Sequence, residues 1–159
     1  MTAEFYKLAT LPVTWVLLAA YAALELRSAP LLAAHAMATI AAVAGGRDNV
    51  AASLCAVPSR HRLFAFKVLT VALLSAALSL SARCLLLSLF ALGLALLTRG
   101  VIWPLAFLAG VPILLTPILR AVIPTVEPYL PHEATAPVLA GWAATALAAA
   151  WLTLVRRDA

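Results

Sequence analysis

Residues Leu63–Thr98 read LFAFKVLTVALLSAALSLSARCLLLSLFALGLALLT, thirty-six residues in which charge appears only at Lys67 and Arg83. As a single helix this stretch would extend about 54 Å, nearly twice the ~30 Å hydrocarbon core of a bilayer. It therefore predicts two helices packed back to back, about 63–82 and about 84–98, reversing at Ser81-Ala82-Arg83-Cys84. Lys67 lies near the start of the first, where its long stem would let the ammonium snorkel to the aqueous boundary.

The chain before and after divides in the same way. Apolar segments at about 11–26 and 31–46 meet at the tight break Arg27-Ser28-Ala29-Pro30, and Pro12 falls in a first helical turn, where a missing N–H is harmless. Beyond Thr98, Arg99-Gly100 marks a reversal into a helix at about 101–119. Its prolines at 104, 112 and 117 predict a kink or break. The next interval, RAVIPTVEPYLPHEATAP at Arg120–Pro137, holds four prolines and predicts short broken elements rather than one helix. A last apolar helix is expected at about 138–155. In front of all this, Met1–Thr10 is a short amphipathic piece suited to a headgroup zone, with no basic leader region, and is expected to be retained.

Composition supports the same class. Hydrophobic residues make up 65% of the chain and charged residues 11%, with a mean hydropathy of +1.07, whereas soluble domains are about half apolar and a quarter charged. The expected fold is an all-α integral membrane protein, a single domain over 1–159 with six transmembrane helices. A cytoplasmic segment would lie between helices two and three, and a Pro-rich outer segment between helices five and six. The net charge of +5 fits orientation rather than nucleic-acid binding. Lys7, Arg47, Arg60, Arg62, Lys67, Arg99, Arg156 and Arg157 fall on the side of the termini, and Arg27, Arg83 and Arg120 on the other. That bias puts both termini and the 46–67 interval in the cytoplasm of a multi-pass protein.

Residues suited to catalysis are sparse. The carboxylates Glu4, Glu25, Asp48, Glu127, Glu133 and Asp158 all fall at helix ends or in connections, so no paired acid/base device is expected. His35, His61 and His132 are scattered, with no metal-ligand spacing, and no phosphate-cradling GxxxxGK[ST] occurs. No metal and no cofactor are therefore expected on this chain, and no enzymatic activity. Cys55 and Cys84 are expected to be small apolar residues in helices. Glu25 and His35 form a candidate polar pair at the outer rim. Gly141, Thr145 and Ala149 form a candidate close-packing ridge on the last helix. Trp15, Trp103, Trp142 and Trp151 are expected in interfacial belts. No polar stripe along a span is expected.

The interval Gly46–Lys67, GRDNVAASLCAVPSRHRLFAFK, is the one long stretch that is not continuously apolar. Its pattern Leu54, Pro58, Arg60, Arg62 and then Lys67 resembles the cytoplasmic segment of ABC-2 type transporter permeases of the compact bacterial drug- or antibiotic-export kind. The opening Glu4, Lys7, Leu8 through Thr14-Trp15 is similar to that family's start. Tyr129-Leu130-Pro131, Ala134, Trp142 and the Arg156-Arg157-Asp158-Ala159 tail are similar to its end. The chain departs from the pattern at Ala44 and Asp48-Asn49, where the family often has a Glu and a Gly-Thr, and in its very short outer connections.

The resemblance implies an export subunit in a bacterial inner membrane, moving a hydrophobic or amphipathic substrate such as a drug, antibiotic, lipid or peptide. ATP and Mg would be held by a separate ABC ATPase subunit. A coupling segment formed by Asp48, Asn49, Leu54, Val57, Pro58, Arg60, Arg62 and Lys67 would dock on that partner. A second permease copy, identical or related, would complete the path, and Glu127, Tyr129 and Pro131 would belong to an outer gate. The alternative is a membrane anchor or immunity or assembly protein that recruits partners and transports nothing.

Overall fold

The structure is a computed structural model describing residues 12–26, 30–46, 59–78 and 81–156. Those residues form helices joined by turns, with no strand among them. In chain order they are α1 (Pro12–Leu26), α2 (Pro30–Gly45), α3 (Arg60–Leu78), α4 (Ala82–Thr98), α5 (Ile102–Val122) and α6 (Ala136–Arg156). A 3-10 segment, Pro124–Tyr129, and a turn connect α5 to α6. The six apolar segments of the sequence are thus six helices.

Two boundaries differ from expectation in ways that matter. α3 starts at Arg60, not near residue 63, so Arg60, His61 and Arg62 belong to its first turn rather than to the preceding connection. α4 starts at Ala82, so Arg83 lies within the helix instead of at the hinge. Ser59 precedes α3, its carbonyl accepting from the Leu63 N–H at 3.0 Å, and Ser81 before α4 is extended at ψ 118°.

The core is organised around α4. It packs against α2 and α6 most extensively, and also against α3 and α5. Leu87, Phe90, Ala91, Leu92 and Ala95 on α4 are all buried. Small residues set the two main interfaces. A Cβ placed on Gly45 would lie 2.7 Å from the Ala95 Cβ. One on Gly93 would lie 2.9 Å from the Ala146 backbone carbonyl carbon. α2 and α6 therefore approach α4 more closely than larger side chains would permit. The face of α6 that does this is Leu139, Ala143, Ala146, Ala150 and Leu154. The ridge expected at Gly141, Thr145 and Ala149 lies off that face: a Cβ on Gly141 would meet nothing within 4 Å, and Thr145 is exposed.

α4 ends on Arg99, whose φ of 52° is left-handed and makes the C-terminal reversal. Gly100, the residue suited to that conformation, follows it without a positive φ.

The kink expected in α5 is a π turn. Val111–Leu115 forms a π segment between two α-helical pieces, with Pro112 at its start and Pro117 just beyond. Prolines remove i→i−4 donors, and the wider turn accommodates the loss. The Thr116 N–H and hydroxyl both donate to the Val111 carbonyl, the hydroxyl at 2.9 Å.

α5 and α6 are each 21 residues long and apolar enough to cross a membrane, and under a third of either is buried in the fold. A core helix of a soluble protein would be mostly enclosed. Ile102, Trp103, Ile113, Leu114, Ile118 and Val122 all face outwards on α5. These two helices point to a membrane-associated chain. The others are shorter or more polar: α1, α2 and α4 have 15, 16 and 17 residues, and α3 opens with two arginines and carries Lys67.

Candidate functional site

One end of the bundle gathers the C-termini of α2, α4 and α6 with the N-terminus of α3. Three cations in the first two turns of α3 face the wrong end of that helix's dipole. The fold answers this by directing two of them to the C-terminal carbonyls of other helices, which lack intrahelical donors. The Arg60 guanidinium donates to the Leu154 carbonyl in the last turn of α6, at 3.3 Å. Lys67 Nζ donates to the Ala44 carbonyl in the last turn of α2, at 2.7 Å.

Lys67 does not snorkel to water as expected. Its ammonium points towards the expected end, but the residue is 2% exposed and bonded to Ala44. The Ala44 carbonyl, in the last turn of α2 and without an intrahelical donor, accepts from that ammonium inside the fold. Aromatic rings reinforce the same corner. His61 and Phe64 pack on Trp151 of α6 with ring centroids 4.7 and 5.3 Å away. Arg62 remains exposed. Of the expected coupling segment, Asp48, Asn49, Leu54, Val57 and Pro58 lie outside the described residues, as does Cys55. Cys84 lies buried in α4.

Below Lys67, Thr70 and Ser75 continue the buried face of α3, and their hydroxyls make no hydrogen bond. A short polar stripe therefore runs inside the bundle where none was expected. Hydroxyls spaced three and eight residues from a lysine were the available signal, hidden among many alanines and leucines.

The other end collects a different set. Arg83 in the first turn of α4 donates to the His132 carbonyl. His132 Nε2 lies 2.8 Å from the Thr116 hydroxyl at the end of the π turn. That hydroxyl's one proton goes to Val111, so it must accept from His132, which fixes the Nε2–H tautomer. Trp142 donates from Nε1 to the Tyr129 carbonyl at 2.9 Å and meets Phe90 edge-on. Trp142 and Trp151 thus make contacts within the fold, and Trp15 and Trp103 are exposed.

Among the expected gate residues, Tyr129 is exposed and Pro131 is buried beside His132. The side chains of Glu127 and Glu25 lie outside the description. His35 is brought to His132: together they line a small void with Leu87, Phe107, Leu108 and Pro131. The sequence reading missed His132 because ninety-seven residues separate it from His35 and nothing local links them. Among the described residues no group of three or more His, Cys, Asp or Glu side chains is placed to hold a metal.

No family model, no curated protein and no solved structure matches the chain.

Proposed function

We propose that this chain is the membrane-spanning permease subunit of an ATP-driven exporter of the ABC-2 type. Six membrane crossings, cytoplasmic termini and a bacterial inner-membrane location belong to the proposal, as do a second permease copy and a separate ATPase subunit carrying ATP and Mg. The observation that carries it is the fastening of the α3 entrance. The basic segment between α2 and α3 leaves the C-terminus of α2 and returns through Arg60. From there α3 is tied to α6 by Arg60–Leu154 and the Trp151 stack, and to α2 by Lys67–Ala44. A push on that segment would move three helices together, which a coupling element must do to tilt a bundle. The π turn in α5 supplies a place for such a tilt to be absorbed.

A second reading, a membrane anchor or immunity or assembly protein, is favoured by the shortness of α1, α2 and α4. At 15 to 17 residues they reach only about 22–26 Å. The test is affinity purification of the tagged chain in mild detergent from its host, with mass spectrometry of the partners. An ABC ATPase at near-equal stoichiometry supports the permease. A folded chain without one favours the anchor. Arg62→Glu is the cleaner docking variant, since Arg60 is already bonded within the fold; it should weaken ATPase capture and leave membrane insertion intact.

A further inference from the structure

The turn between α5 and α6 closes over a cleft with two chemically different compartments. Pro112, His132 and Glu133 line both. On one side the wall is His35 with Leu108, Ala109 and Ile113, an apolar space of about 420 Å³. On the other, Thr116, Pro117 and Arg120 complete a polar space of about 390 Å³. The apolar side is large enough for an alkyl chain and opens along the outward apolar surface of α5. The polar side presents a guanidinium and a carboxylate together. Neither the coupling segment nor the expected gate residues account for this arrangement.

We propose that this cleft binds an amphiphile with a zwitterionic phosphate-containing head group, its chain lying along Leu108, Ala109 and Ile113. Arg120 would take the phosphate, its five N–H donors leaving capacity beyond any contact it makes within the fold. Glu133 would take the amine. A purely anionic head would bring its charge against the Glu133 carboxylate, and a purely cationic one against Arg120, so the pair selects a head carrying both signs. The Nε2–H of His132 is already committed to Thr116, which holds the imidazole as a fixed wall between the compartments. The proposal rests on the membrane reading of the chain but not on transport.

The same chemistry comes from a two-chain bilayer phospholipid or a single-chain amphiphile, and the test separates them. The purified full-length protein in a neutral maltoside detergent is titrated with dioctanoyl phosphatidylethanolamine, dioctanoyl phosphatidylglycerol and lysophosphatidylethanolamine, and bound lipid is read by native mass spectrometry. The ethanolamine lipids should bind about tenfold more tightly than the glycerol lipid. Arg120→Gln should weaken all three. Glu133→Gln should abolish the preference while retaining binding, a change in selectivity that general loosening would not produce. Both side chains are exposed, and an unchanged melting temperature checks that each variant is folded. Tighter binding of the two-chain probe assigns a bilayer lipid; tighter binding of the one-chain probe assigns a smaller amphiphile. Equal binding of ethanolamine and glycerol lipids by the parent chain, or a preference surviving Glu133→Gln, overturns the proposal. Because no ATPase is present, failure here leaves the permease reading standing, and failure of the co-purification leaves the cleft standing.

Discussion

Replacing Lys67 separates the two things its side chain does. The stem fills buried space between α3 and α2, and the ammonium donates to the Ala44 carbonyl at 2.7 Å. Lys67→Met keeps most of the volume and removes the charge. Losing the bond leaves a buried carbonyl that costs about 1–3 kcal/mol, while relieving the desolvation of an ammonium returns several kcal/mol in the opposite direction. The two nearly cancel, so the methionine variant should lie within ~1 kcal/mol of the parent. Lys67→Ala makes the same electrostatic change and adds a cavity, and large-to-small core substitutions cost about 2–5 kcal/mol. At about 2–4 °C per kcal/mol for a chain of this size, the alanine variant should melt roughly 4–20 °C below the methionine variant. The four tryptophans report the transition by intrinsic fluorescence in detergent. If the methionine variant melts as low as the alanine variant, the ammonium rather than the stem holds the corner, and the cancellation is wrong.

Other substitutions test the packing directly. Gly93→Ala pushes a Cβ to 2.9 Å from the Ala146 backbone and should cost about 1–3 kcal/mol, whereas Gly141→Ala, with open space around it, should stabilise by up to ~1 kcal/mol; paired melting curves decide it. Arg99→Gly relieves a left-handed residue at φ 52° and should raise stability by about 1 kcal/mol, so a lowered melting point would contradict the turn geometry. Thr116→Val removes the hydroxyl shared by Val111 and His132; it should cost about 1–3 kcal/mol, read by thermal melting, and speed hydrogen exchange in the Leu130–Ala134 turn. Trp151→Ala removes both ring contacts to α3; it should lower stability by about 2 kcal/mol and weaken ATPase capture more than insertion.

The six helices were legible in the chain because each is an apolar run bounded by charge, proline or glycine, and the length of Leu63–Thr98 compels a reversal whatever surrounds it. The proline-bearing kink of α5 was legible for a local reason too, since proline removes a donor wherever it stands. What tertiary structure alone decided was where the polar groups go. Lys67 lies seven residues into its helix from Arg60, and sequence predicts that it reaches water; only the position of the α2 C-terminus shows that a carbonyl intercepts it. Gly141, Thr145 and Ala149 fit a packing ridge as well as Ala143, Ala146 and Ala150 do, because in an alanine-rich helix periodicity is nearly degenerate; the rotation of α6 against Gly93 of α4 breaks the tie. His35 and His132 meet only because α2 and the α5–α6 turn lie against the same end of α4. Apolar burial is additive along a chain and can be read from it. Hydrogen bonds and charges act over a few ångströms between segments distant in sequence, so their partners exist only once the helices are packed.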